Sequence, residues 1–178
     1  MTQPFQAETS VRAAQEFGNI SFEYEAIADE HPNARELIAY WSSKRCGDQL
    51  PFRAAIQPAD FVKLLPSLFI AEAKGSDWYY RLVGTGIAGR FRVDLTGKSV
   101  GEAFEPARAE QVARFYHSVA QGREPVSTKG RYLGLGIDHA TVQNVHLPIL
   151  GPDGRTVWIL GGVFFFALVP WHWGPARP

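Results

Sequence analysis

The apolar positions change period several times along the chain. In HPNARELIAYWSSKRCG, Ala34, Leu37, Ile38 and Trp41 fall at i, i+3, i+4 and i+7, one face of a helix. Pro32 suits a first helical position, Lys44 and Arg45 a last turn and Gly47 a stop, so a helix is predicted over Pro32 to Cys46. In LPFRAAIQPADFVKLLP, the prolines at 51, 58 and 66 leave room for one short helix, Ala59 to Leu65, with Phe61, Leu64 and Leu65 as a plug. Ser67 to Ala73 and Trp78 to Val83 read as strands joined by the KGSD turn. Gly84, Gly86, Gly89 and Gly97 then permit only one-turn helices. EPARAEQVARFYHSVAQG restores helical spacing through Ala109, Val112, Phe115 with Tyr116, and Val119, predicting a helix from Ala107 to Gln121. Three strands follow, Pro125 to Leu133, Ala140 to Leu150 and Arg155 to Val169, the last two joined at Gly151 to Gly154.

This order describes an α+β fold, an antiparallel sheet with its helices gathered on one face. The final strand is apolar at both alternations: Val157, Ile159, Val163 and Phe165 on one side, Trp158, Leu160, Phe164 and Phe166 on the other. Both faces of the sheet must then be buried. The lid helices cover one. The other needs the stripe of Leu37, Ile38 and Trp41, supplied by this chain or by a second copy, and the second arrangement would make a homodimer. Residues 1–30 read as an arm with one helix from Ser10 to Phe17, residues 31–169 as a single domain, and residues 170–178 as a tail.

Several short stretches then acquire a joint meaning. Tyr40-Trp41, PFR at Pro51 to Arg53, LLPSLFI at Leu64 to Ile70, YRLVGTGI at Tyr80 to Ile87, DLTGKS at Asp94 to Ser99, QGREPV at Gln121 to Val126 and LPILGPDG at Leu147 to Gly154 stand in this order. Together they resemble a PAS domain, and more narrowly a bacterial subgroup found mostly as small stand-alone proteins. The resemblance spans about His31 to Phe166. It implies a five-stranded antiparallel sheet with a helical lid on one face and the amphipathic leading helix on the other, enclosing a small pocket. It also implies sensing or protein association rather than catalysis. The ligand does not follow from the fold, because PAS modules variously hold haem, flavin, small acids or nothing.

Composition narrows the partners. Eighteen Lys and Arg balance eighteen Asp and Glu across 178 residues, so neither nucleic acid nor an anionic membrane surface is expected as a partner. The longest apolar run, Val157 to Trp171, is shorter than the ~20 residues of a spanning helix, and the start lacks the apolar core of a secretory signal. With a single cysteine, Cys46, no internal disulfide forms and a cytoplasmic setting is expected.

No flavin or haem cofactor is expected. The photoreactive flavin subgroup needs a cysteine after the first hairpin, and Cys46 precedes it. An axial haem ligand would have to be His117, His139 or His146, and a lone histidine is more often a hydrogen-bonded structural residue. The expected ligand site lies between the Ala107 to Gln121 helix and the sheet, walled by Tyr80, Phe91, Tyr116, Tyr132 and Trp158. Arg81 would be its carboxylate anchor if it points inward, and a partner of an acid such as Glu72 if it points outward.

Three functions follow in order of preference. The first is a sensory module that binds a small ligand and signals through association with another protein, since no kinase, cyclase or helix-turn-helix segment accompanies it. The second is a small acid–base enzyme of isomerase or hydratase type, needing a buried carboxylate opposite a His or Tyr. Asp94 and Asp138 fall at turns, and GIDHA is the only candidate acid–base pair. The third is a ligand-free dimerisation module.

Overall fold

A computed structural model describes residues 15–17, 20–22, 30–132 and 140–166. Strands β1 (Gln15–Phe17) and β2 (Ile20–Phe22) pair antiparallel, with Phe17 opposite Ile20. The helix expected from Ser10 to Phe17 is therefore a strand in its last three residues. Ile20, Ser21 and Phe22 alternate apolar and polar, a strand period that outweighs the weak helical spacing of the arm.

Helix α1 (Pro32–Ser43) opens on His31, whose Nδ1 accepts the Asn33 backbone N–H at 3.1 Å. It stops at Ser43 rather than Cys46. The Ser43 hydroxyl bonds the Tyr40 carbonyl, Lys44 N closes a tighter bond on the Trp41 carbonyl, and Lys44 and Arg45 lie past the last turn. Gly47, at φ +58°, serves instead the small turn closed by Cys46 and Gln49.

The expected helix from Ala59 to Leu65 is replaced by 3-10 turns at Pro58–Phe61 and Leu65–Ser67. Pro58 and Pro66 stand too close together for an α-helical ladder, and Leu64 and Leu65 bond the carbonyls three residues back. Then come β3 (Leu68–Lys74), β4 (Asp77–Val83), α2 (Thr85–Phe91), α3 (Val100–Ala103), α4 (Pro106–Gly122), β5 (Val126–Tyr132), β6 (Ala140–Leu150) and β7 (Val157–Phe165). The five long strands form one antiparallel sheet in the order β4-β3-β7-β6-β5.

Each face of this sheet carries its own core. On one, Ala34, Leu37 and Trp41 of α1 pack with Leu50, Leu64, Leu68, Val145, Leu147, Ile149, Leu160 and Phe164. On the other, Ile87, Val100, Tyr116 and Val119 of the lid pack on Phe69, Ala71, Trp78, Tyr80 and Ile159. The alternation of β7 divides its side chains between the two, Leu160 with α1 and Ile159 with the lid. The second apolar face is thus covered by this chain's own stripe. Of that stripe, Leu37 and Trp41 are buried and Ile38 partly so, packed against this chain's own sheet.

Both layers press on β7 at a glycine pair. A Cβ at Gly161 would lie 2.0 Å from the Phe69 ring, and one at Gly162 would lie 2.9 Å from Leu37 Cδ2 of α1.

Candidate functional site

The local register of β4 decides which side chains reach the lid. Trp78 and Tyr80 alternate with Tyr79 and face α4, both buried. Tyr80 pairs with Ala71 while Leu82 pairs with Ile70, so Arg81 is the extra residue of a β-bulge. It turns outward. Its side chain is 55% exposed and its Nε sits 3.5 Å from Glu72 Oε2, the outward alternative. The carboxylate anchor expected at this position is absent from the lid face.

The free edge of β4 is closed by DLTGKS. Asp94 Oδ1 accepts the Thr96 N–H at 2.8 Å, Gly97 donates to the Tyr80 carbonyl at 2.7 Å, and Tyr80 donates to the Lys98 carbonyl at 2.9 Å. These bonds hold Tyr80 along its backbone on the outer side of the strand. Ser99 then caps α3 reciprocally with Glu102.

Helix α4 begins at Pro106 and ends in a left-handed residue, Arg123 (φ 55°). Its inner face brings Tyr116 to Tyr80, the two hydroxyl oxygens 3.1 Å apart and buried. The Tyr116 ring meets Trp78 edge-on at 5.4 Å between centroids and Phe69 at 6.2 Å. His146 reaches the same cluster from β6, its ring 4.8 Å from Phe115, 5.8 Å from Phe69 and 5.8 Å from Tyr116. His117, one residue along α4, lies edge-on to Trp78 at 5.4 Å.

The cluster is buried, and its acid–base groups register this. Burial raises the Tyr80 hydroxyl to about 12, against the lowering effects of the Tyr116 bond and Arg108. Burial first, then Tyr80, pushes Tyr116 well above the usual phenol range, with Arg108 again opposing. Burial brings His146 down to about 4, partly offset by a hydrogen bond to the Val126 backbone. His146 is neutral at ordinary pH, and its Nδ1 finds no hydrogen-bond partner among the described residues. The same holds for the Trp78 indole Nε1. Two unsatisfied polar atoms in one apolar cluster are uncommon in native cores.

Of the expected wall residues, Tyr80 and Tyr116 meet, and Phe91 packs half-buried at the margin of the same cluster. Trp158 does not join them. It belongs to the α1 face, and a Cβ at Gly151 would lie 2.8 Å from its indole nitrogen. Tyr132 closes β5 opposite Ala140, and its side chain lies outside the described residues, as do Asp138 and His139. Phe69, Trp78, Phe115 and His146 were not expected in the wall. The signal for His146 is the alternation that places it with Val142 and Asn144, opposite the α1-facing Val145 and Leu147.

Among the described residues, no cluster of three or more His, Cys, Asp or Glu could hold a metal ion, and no helix is long and apolar enough to cross a membrane. Comparison with known proteins gives three findings. The family model described as "PAS domain" matches residues 29–164. No curated protein matches. Among solved structures, the PAS domain of BvgS from Bordetella pertussis is similar at 22% identity, with 62% of this chain and 86% of that chain covered and a TM-score of 0.48.

Proposed function

This chain belongs to the PAS domain family, and we propose that it is a sensory module whose lid-side cluster takes up a small molecule and reports it by changing association with another protein. The observation that carries the reading is His146, a buried imidazole whose Nδ1 has no partner among the described residues, set among Phe69, Phe115 and Tyr116. A purely structural core would have satisfied or replaced such a group. A small molecule between α4 and the sheet would complete it and would press on a helix that meets the sheet through these rings. The exposed Cys46 thiol is in keeping with the reducing cytoplasm.

Catalysis is the weaker reading. The buried polar and charged residues among those described are Ser99, Gln143 and His146, none of them a carboxylate, and Asp94 is engaged in an exposed turn with Thr96. The test is native mass spectrometry of the protein purified from its own host. A retained small molecule that is lost on denaturation supports the sensor. A mass equal to the bare chain, together with no stabilisation by the host's metabolite extract, overturns it.

A further inference from the structure

We propose that Arg45 and Glu124 form a strap joining the C-terminal ends of α1 and α4 around the sheet, so that the two helix ends loosen together. The helices lie on opposite faces, each in its own core, with the sheet between them. Arg45, two residues past the end of α1, nevertheless places its Nη1 3.4 Å from Glu124 Oε1 and 3.3 Å from Glu124 Oε2. Glu124 follows Arg123, the left-handed residue that ends α4, and only Pro125 separates it from β5. The pair thus spans the two points at which the chain leaves each helix.

Arg45 is anchored on the α1 side. Its guanidinium lies 5.1 Å from the centroid of the Trp41 ring, and Trp41 is itself bonded to the Pro148 carbonyl at 2.8 Å. The side chain is 22% exposed, and its buried Nε makes no hydrogen bond among the described residues. A guanidinium that forgoes a bond at Nε is placed by its other contacts, the Trp41 ring and the Glu124 carboxylate. Glu124 is 66% exposed, so the pair adds little to global stability. Its effect is local. The ion pair is lost when either helix end frays, which links two openings that would otherwise be independent. The strap operates with or without a ligand at the lid. The competing route runs through β6, where His146 meets Tyr116 and Pro148 holds Trp41.

Native-state hydrogen exchange of the full chain reads the two ends separately. The α1 end is reported by the Lys44 and Arg45 amides, bonded to the Trp41 and Ser42 carbonyls, and the α4 end by the Arg123 amide, bonded to the Val119 carbonyl. Each variant is read at the far end. Glu124→Gln is expected to speed exchange of the Lys44 and Arg45 amides about two- to fivefold, the worth of an exposed ion pair. Arg45→Met, which keeps the stem on Trp41 and removes the charge, should speed the Arg123 amide by the same factor, because linkage between two sites is reciprocal. Once Arg45→Met is present, adding Glu124→Gln should change the α1 end no further. Unchanged exchange at either far end overturns the strap. An effect of Glu124→Gln on the α1 end that persists in the Arg45→Met background runs through β6 and overturns it too.

Discussion

Trp41 of α1 donates its indole N–H to the Pro148 carbonyl of β6 at 2.8 Å, within the core. The helix is thereby pinned to the sheet by one directed bond as well as by burial of its stripe. Trp41→Ala is expected to cost roughly 3 to 5 kcal/mol, through the cavity and the stranded carbonyl. Trp41→Phe keeps most of the apolar area and should cost about 1 to 3 kcal/mol. Urea denaturation of both variants measures the difference.

Removal of residues 1–46 uncovers Leu147, Ile149, Leu160 and Phe164, which α1 otherwise shields. The truncated chain is expected to aggregate, since a patch of this kind is an association surface. Light scattering at rising concentration checks this, and a monomeric, fully folded truncation would contradict it.

Burial of His146 makes stability depend on acid. Its folded value of about 4 lies below the ordinary value of 6.5, so the stabilising effect is complete above pH 6.5. As pH falls from 6.5 toward 4, the unfolded chain takes the proton and the folded chain does not. The loss should approach ~3 kcal/mol near pH 4. His146→Phe should flatten this part of the stability profile measured by denaturation across pH.

Arg81→Ala should leave both fold and ligand affinity unchanged to within about 0.5 kcal/mol, because an exposed ion pair contributes little. Isothermal titration of wild type and variant with any bound ligand makes the comparison. A marked loss of affinity would place the guanidinium in the site after all.

The purified protein is expected to be colourless. The His146 ring is in contact with Phe69, Phe115 and Tyr116, which occupy the approaches an iron porphyrin would need, and Cys46 is exposed beyond the end of α1. A stoichiometric absorption band in the haem or flavin region would refute this.

Much of the architecture was legible because it rests on period. The double apolar alternation of β7 required two covered faces, and the spacing of Ala34, Leu37 and Trp41 supplied a cover for one. The site was less legible because alternation gives relative orientation and no absolute side. Trp158 shares a face with Leu160 and Phe164, but nothing local says which layer covers that face. Arg81 was obscured by a different device, since an extra residue in β4 resets the phase without marking the sequence. Tyr80 and Tyr116 were each expected among the wall residues, but not as a hydroxyl pair, and His146 gained its importance only from three rings brought by β3 and α4.

Gly161 and Gly162 make one point of β7 a membrane of bare backbone between two layers. Phe69 rests on one side of it, and Phe164 and Leu37 on the other. Close-packed interiors deform little, so a ring pushed down on the lid side must lift the strand or slide along it. Either movement meets Phe164 and, through Leu37, α1. The sheet at that point is less a wall than a diaphragm, thin where the two cores lie nearest each other.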